Sequence, residues 1–310
     1  VTRAPDPAGP PALRRWYFCI NAKGFADGLP QIAVAVASAR ANTALEPVCI
    51  YDGDDPAHTA ALRRLGVQVV AHRSSFEDAL RRGYGAAFET FCGHWLRVDL
   101  PLIEREEAFV LYTDIDVMFL GPPKLEARPR LLAAAPEFDR NRLDYFSSGV
   151  MVMNLPALRE CHSSFVAAIR ARLAGDFRYP AHDQESFNRF FGPSPMNRLR
   201  GRVFDPLDPV NNWKPFWGID PDARIVHFHG PKSATIRAFE RCGPIPGQER
   251  LVALWQRDPA AYAHYATLWE GFLAAVRSRI APPRRPHWPP PLPPLPQPSG
   301  RAGSGGRGQG

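Results

Sequence analysis

The sequence predicts an α/β protein: a mixed, mostly parallel sheet covered by helices, in a Rossmann-like arrangement. Three observations carry that expectation. Over the first third of the chain, short strand-like runs alternate with stretches bounded by helix start and stop signals, the pattern of parallel strands joined by crossover helices. Phe109 to Tyr112 and Val117 to Leu120 are almost wholly apolar, so the acids between them, Asp114 and Asp116, sit where a buried strand emerges from a core. With 310 residues, 45% of them hydrophobic, the chain can hold one large or two small domains around a sizeable core.

The elements follow in order. After a Pro-rich start through Pro11, Trp16 to Ile20 reads as a first strand and Asn21 to Asp27 as the loop leaving it. Pro30 suits the first turn of a helix running to about Ala41. Pro47 leads into a strand from Val48 to Tyr51, and Asp55 with Pro56 forms an N-cap and N1 pair before a helix that Gly66 stops. Val67 to Ala71 is the next strand, Phe88 to Leu100 a helix, and Phe109 to Thr113 the buried strand that delivers the acids. Gly149 to Met153 is another strand. Asn154 and Pro156 begin a helix that Gly175 ends. A helix from Gln184 to Phe190 gives way to a loop rich in Pro, Asn and Trp from Gly192 to Asp222, then a last strand from Arg224 to Phe228. Asp258-Pro259 opens a final helix reaching about Ile280.

This places one globular domain over residues 14–280, preceded by a disordered segment over 1–13. From Ala281 the composition turns to Pro, then Gly, Ser and Arg, a Pro/Gly/Arg-rich segment (281–310) expected to be extended polyproline II followed by disorder. The formal charge is +7 with a pI near 9.4, yet Arg277 to Gly310 holds six arginines and no acid, so six of the seven net positive charges sit there. The body shows no basic stripe with interleaved aromatics, which argues against a specific nucleic-acid partner. A peripheral membrane contact or a polyproline-binding partner, if either matters, belongs to the tail. Cys19, Cys49, Cys92, Cys161 and Cys242 are odd in number, scattered and free of Cys-x-x-Cys spacing, as expected for a reducing cytoplasm without a disulfide framework or zinc site. No apolar run approaches the roughly 20 residues of a membrane span. The first 20 residues lack the order of a secretory signal, and whether a leader precedes Val1 is left open.

Asp114-Ile115-Asp116 is the most informative motif. Strand side chains alternate faces with period two, so Asp114 and Asp116 are expected on one side, with Thr113, Ile115 and Val117 on the other. Two neighbouring carboxylates in an apolar setting repel and lose hydration unless a proton or a cation compensates. A hard divalent cation such as Mg²⁺ or Mn²⁺ is the simplest compensation, and it would in turn favour a diphosphate. Taken alone, the same pattern also describes a solvated turn or a helix N-cap. A second signal is His227, ending a strand and followed by Gly230 and Lys232. Imidazole suits Mn²⁺ better than Mg²⁺, and a lysine could offset phosphate charge. A satisfied core histidine is the plain alternative.

Four segments in order complete a pattern: Arg97 ahead of Leu111-Tyr112-Thr113-Asp114-Ile115-Asp116, then Tyr145-Phe146-Ser147-Ser148-Gly149-Val150-Met151-Val152-Met153-Asn154, then His182-Asp183-Gln184-Glu185-Ser186-Phe187-Asn188, then His227 to Lys232. Over about residues 14–240 the chain resembles the retaining, metal-dependent glycosyltransferases of the GT-A (nucleotide-diphospho-sugar transferase) fold. The likeness is to family 8, the group of glycogenin and bacterial galactosyl- and glucosyltransferases, in which Asp-x-Asp is the DXD motif. The resemblance implies a hexosyltransferase with Mn²⁺, or Mg²⁺, held by Asp114, Asp116 and His227, and a UDP-sugar donor. Arg97 and Asp183 would hydrogen-bond the donor sugar, Gln184 would lie beneath its anomeric carbon, Asn21 would contact the nucleotide, and Gly230 with Lys232 would meet the diphosphate. The Gly230-Pro231-Lys232-Ser233 run is one residue shorter than the family's and lacks its Pro-Trp. Ser147 stands where many members carry an asparagine.

Retention at the anomeric centre is expected. Gln184 is a poor nucleophile, which leans the mechanism toward same-face attack over a covalent adduct. Two other readings stay open here: a nucleotidyltransferase, for which Asn21-Ala22-Lys23-Gly24 is a meagre phosphate loop, and an adaptor working through the proline-rich tail. Asp183 could instead cap a helix. Trp213, Phe216 and Trp217 could stack on an acceptor sugar or pack in the core. The acceptor (glycan, lipid or protein), the sugar donated and the oligomeric state carry no readable signal.

Overall fold

The computed structural model describes residues 9–175 and 182–280. The expectations for residues 1–8 and for the 281–310 tail lie outside the described residues.

Strand β1 (Arg15–Asn21) leads into α1 (Phe25–Asn42). The helix starts more than a turn ahead of Pro30, not at it, which corrects the expected loop from Asn21 to Asp27. Asn21 Oδ1 accepts from the Gly24 N–H at 3.0 Å and Ala22 C=O accepts from the Phe25 N–H at 3.3 Å, so the chain turns into the helix within four residues. Pro30 therefore lies inside α1, where its ring removes one backbone donor. Strand β2 (Glu46–Asp52), α2 (Pro56–Arg64) and β3 (Gln68–Ala71) follow as expected. Asp55 caps α2 by accepting from the Ala57 N–H at 2.8 Å, and Gly66 ends it at φ +71°, a conformation that favours glycine.

Helices α3 (Glu77–Tyr84), α4 (Phe88–Trp95) and α5 (Leu100–Ile103) bring the chain to β4 (Phe109–Thr113). The single helix expected from Phe88 to Leu100 is interrupted by a 3₁₀ turn over Leu96–Asp99, so Arg97 and Asp99 lie on a tighter segment and are both buried. Then come β5 (Val117–Phe119), β6 (Leu132–Pro136), β7 (Phe146–Asn154), α6 (Leu155–Leu173) and α7 (His182–Phe191). Asn154 caps α6 as expected, accepting from the Ala157 N–H. The stretch expected as a loop from Gly192 to Asp222 contains α8 (Pro195–Leu199), β8 (Asp205–Pro206) and two 3₁₀ turns. Strand β9 (Ile225–His227), α9 (Ser233–Cys242), α10 (Glu249–Trp255) and α11 (Pro259–Ile280) complete the domain.

The main sheet has seven strands in the order β3-β2-β1-β4-β7-β6-β8. Its first four are mutually parallel, β7 runs antiparallel to both neighbours, and β8 is parallel to β6, which is the mixed, mostly parallel sheet expected. Strand β5 leaves it to pair antiparallel with β9. Successive strands run one way from β1 through β2 to β3, while β4 lies on the other side of β1, so β1 and β4 flank a point where the topology switches direction. Their carboxyl ends are where an open α/β sheet binds ligands.

The sheet is buried on both faces. Tyr17, Ile50, Val110 and Met151 pack against Phe76, Trp95 and Phe165 on one side. Trp16, Phe18, Leu111 and Val150 pack beneath α1 and α2 on the other. A third cluster, with Met118, Val226, Phe228, Tyr262 and Trp269, fixes the β5/β9 ribbon against α9 and α11. All five cysteines are free thiols. Among the described residues no helix is long and apolar enough to cross a membrane.

Candidate active site at the switch point

Asp114 and Asp116 converge, but by a different geometry from the one expected. Strand β4 stops at Thr113, and Asp114-Ile115-Asp116 is a step between two sheets. The Asp114 N–H donates to Gly149 C=O in the main sheet at 2.8 Å, whereas Asp116 C=O accepts from the Phe228 N–H of the ribbon at 2.9 Å. The two acids are therefore anchored to separate sheets and meet because those sheets do, not because a pleat aligns them.

His227, at the end of β9, closes the cluster. Its Nε2 lies 3.3 Å from Asp116 Oδ1 and 4.0 Å from Asp114 Oδ2, and one donor atom from each of the three residues falls within 4.8 Å of the others. Its Nδ1–H donates to Asn212 Oδ1 at 3.0 Å, which fixes the ring with Nε2 facing the acids, the usual support for a ligating imidazole. Donor atoms about 2.1 Å from one octahedral ion stand about 3 to 4.2 Å apart, so these spacings suit a hard divalent cation. Gly149 makes the approach possible: a Cβ there would fall 2.2 Å from His227 Cε1 and 3.0 Å from Asp114 Oδ2.

Cations surround the acids. Lys232 Nζ contacts Asp116 Oδ2 and donates to Phe228 C=O at 2.6 Å. Burial favours the neutral form of Asp116, but Lys232 and His227 outweigh it and hold the carboxyl far below the usual range. Arg97, 4% exposed, lies 2.9 Å from Asp114 Oδ1 and 3.0 Å from Asp183 Oδ2, and donates to Ser148 C=O at 2.8 Å. Burial opposes its charge, but the two carboxylates keep the guanidinium firmly protonated.

Asp183 is the second residue of α7 rather than its cap. The alignment with Arg97 is too poor for a hydrogen bond, and Asp183 Oδ2 is buried without another partner among the described residues. Gln184 Oε1 accepts from the Ser148 N–H at 3.0 Å, fixing its amide at the cleft wall. The cleft is about 550 Å³ and is lined by Asn21, Arg97, Asp114, Asp116, Asp183, Gln184, His227, Gly230 and Lys232, so every site residue expected from sequence borders one space. Asn21 is spent internally, donating to Glu89 C=O at 2.6 Å while its Oδ1 accepts from Gly24. Gly230 has φ +97°, and a Cβ there would meet Leu254 Cδ1 at 2.7 Å. Trp213 and Phe216 are core residues, and neither they nor Trp217 line the cleft.

Sequence reasoning missed Glu137, just past β6. It is 2% exposed, lines the cleft, stands 3.5 Å from His229 Nδ1 and leaves Oε2 without a partner. Burial would raise its pKa, but His229 and Lys214 hold it below the ordinary value. Burial pulls His229 down to about 4 and Lys214 down to about 8, against the opposing pull of Glu137 in each case. Fully buried Lys214 donates to Pro136 C=O at 2.7 Å, pinning the strand end that carries Glu137. The missed signal was an acid at the end of an apolar run, Leu132-Ala133-Ala134-Ala135-Pro136-Glu137, the cue that had marked Asp114.

No protein-family model and no curated protein matches the sequence. Solved structures do match. An active-site mutant of LgtC superposes with a TM-score of 0.54 at 17% identity, covering 78% of this chain and 95% of that one. The galactosyltransferase LgtC in complex with donor and acceptor sugar analogs gives 0.52 at 17%, covering 83% and 99%. The apo-form glycosyltransferase GlyE of Streptococcus pneumoniae TIGR4 gives 0.51 at 15%, covering 87% of this chain but 64% of that one, so the chain spans less than two thirds of GlyE. At these identities the likeness establishes the fold, and the chain has the expected GT-A architecture.

Proposed function

We propose that this GT-A chain is a metal-dependent glycosyltransferase that moves a hexose from a UDP-sugar to an acceptor with retention of anomeric configuration. The observation that carries the reading is the convergence of Asp114, Asp116 and His227 on one point of the switch-point cleft, with Asp183 and Gln184 across it.

Asp114, Asp116 and His227 would hold Mn²⁺, with Mg²⁺ the alternative. When bound, the ion neutralises charge growing on the departing diphosphate as a Lewis acid. The chain's own groups do the rest. Lys232 reaches the same region and would add positive charge where the phosphates collect. Arg97 ties Asp114 to Asp183, so metal ligand and sugar contact are set by one rigid group. Asp183 Oδ2, ion-paired with Arg97 but accepting no hydrogen bond among the described residues, would accept a donor-sugar hydroxyl, and the Gln184 amide would face the anomeric carbon. Glu137, which lines the cleft, would offer Oε2 to a further hydroxyl. A buried acceptor left unpaired costs about 1–3 kcal/mol, so such atoms select ligands that supply O–H donors. Gln184 is too weak a nucleophile to favour a covalent adduct, so attack on the face that the diphosphate leaves is the preferred route.

The test is Mn²⁺-dependent hydrolysis across a panel of nucleotide sugars, comparing the intact protein with Asp114→Ala and following the released anomer by NMR. The expected result is turnover of a UDP-sugar that chelation or the substitution abolishes, with the retained anomer first. Turnover unaffected by Asp114→Ala would remove the metal assignment.

A further inference from the structure

We propose that Lys232 is a resident counter-ion of the acid pair that couples metal binding to diphosphate binding, so the divalent cation binds weakly to the free protein and tightly once a diphosphate is present. The inference rests on the reading of the site as a holder of a metal and a nucleotide diphosphate.

Asp116 is shared between two positions. Its Oδ1 faces His227 Nε2 at 3.3 Å, on the side where a cation would enter, and its Oδ2 is held by Lys232 Nζ. A divalent ion seated among Asp114, Asp116 and His227 would have the ammonium one carboxylate away. The two positive charges repel, and they divide the attraction of a single anion.

The lysine is built to change partners. Its backbone is fixed: Gly230 has no room for a Cβ, Pro231 restricts the next φ, and Lys232 itself is the N-cap residue of α9. Its side chain remains 38% exposed at the cleft, against 13% for that of Asp116. Nζ can therefore leave Asp116 for an oxyanion in the cleft by rotation of its stem alone. A diphosphate supplies that oxyanion and relieves the repulsion, and by linkage each ligand then strengthens the other equally.

The experiment titrates Mn²⁺ into the 310-residue chain by electron paramagnetic resonance of the free ion, with and without UDP, for the wild type, Lys232→Met and Lys232→Arg. Wild type should bind Mn²⁺ weakly alone and markedly tighter with UDP. Lys232→Met should bind Mn²⁺ alone about tenfold tighter than wild type and gain less from UDP. Lys232→Arg, which keeps the charge, should follow wild type. Lys232→Met no tighter than wild type without UDP, or Lys232→Arg behaving like Lys232→Met, overturns the coupling role. Wild type that binds no Mn²⁺ even with UDP overturns the metal reading beneath it.

Discussion

Asp99 and the acids of the cleft are drawn out of water, fully for Asp99 and partly for Asp114 and Asp116, yet they are treated in opposite ways. Asp99 is fully enclosed and fully satisfied: His72 Nε2 lies 2.9 Å from Oδ2 and His162 Nε2 3.0 Å from Oδ1, while the Ser75 N–H and Oγ donate at 2.6 and 2.7 Å. Burial favours its neutral form, but the histidines and Ser75 outweigh it and hold the carboxyl far below the usual range. Around the cleft, Asp183 and Glu137 are nearly as buried, but each keeps an oxygen that accepts no hydrogen bond among the described residues, that of Asp183 facing only the Arg97 guanidinium, and Asp114 and Asp116 turn oxygens toward one another across an imidazole. Burial alone therefore does not mark a working site. A saturated buried acid ties elements together, here the loop after β3, the 3₁₀ turn and α6, whereas an unsaturated one still has capacity for a ligand donor.

Substitutions at the two places should separate activity from stability. Asp116→Ala is expected to lower UDP-sugar hydrolysis about 10³-fold or more while costing less stability than Asp99→Ala, since Lys232 stays partly exposed and can be solvated. Asp99→Ala should do the reverse, lowering unfolding free energy by about 3–5 kcal/mol in urea denaturation because two histidines lose their shared anion. The KM of the folded variant should not change. If Asp99→Ala proved stable and inactive, the contrast would fail. Asn212→Ala comes next: it leaves the fold intact but frees the His227 ring, and Mn²⁺ affinity measured with UDP should fall about 10–100-fold.

Acid provides a weaker but independent probe. A carboxyl whose folded pKa is depressed adds stability above its unfolded value near 3.9 that drains away as pH falls toward the folded value. Wild type should therefore lose stability below about pH 4. Asp99→Asn, with no charge to lose, should show a shallower decline over that window in urea titrations. A decline as steep as that of wild type would assign the acid sensitivity elsewhere. The smallest effect should come from the partly exposed helix pair of Glu77 and Arg81, 2.6 Å apart, where Glu77→Gln should change stability by under about 0.5 kcal/mol.

What could be read from sequence follows the strength of the local signal. Strands β1 to β4 and helices α2, α6 and α11 were legible because largely apolar runs and the pairs Asp55-Pro56, Asn154-Pro156 and Asp258-Pro259 mark them without tertiary context. Strand β6 was not, since Leu132-Ala133-Ala134-Ala135-Pro136 has little β propensity and is a strand only because β7 lies beside it. Pro30 misled for a related reason: a proline at a plausible N1 position outweighed the Asn21 turn that starts the helix earlier. At the site, Asp114, Asp116, His227, Asp183 and Gln184 stood out as motifs. Glu137, Asn212 and Lys214 did not, because Lys214 joins the end of β6 beside Glu137 to the Pro-rich segment before β9 and Asn212 joins that segment to His227, juxtapositions that only the tertiary fold creates.

The central claim is that three side chains from two sheets seat one divalent ion able to grip a diphosphate. Anomalous diffraction at the manganese edge, from crystals of the protein grown with Mn²⁺ and UDP, tests it most directly. The account predicts a single strong peak in the switch-point cleft, about 2.2 Å from a carboxylate oxygen of Asp114, one of Asp116 and Nε2 of His227, with the UDP phosphates on its open side. A nucleotide bound in the cleft with no peak there, or with the ion held by other residues, would contradict it.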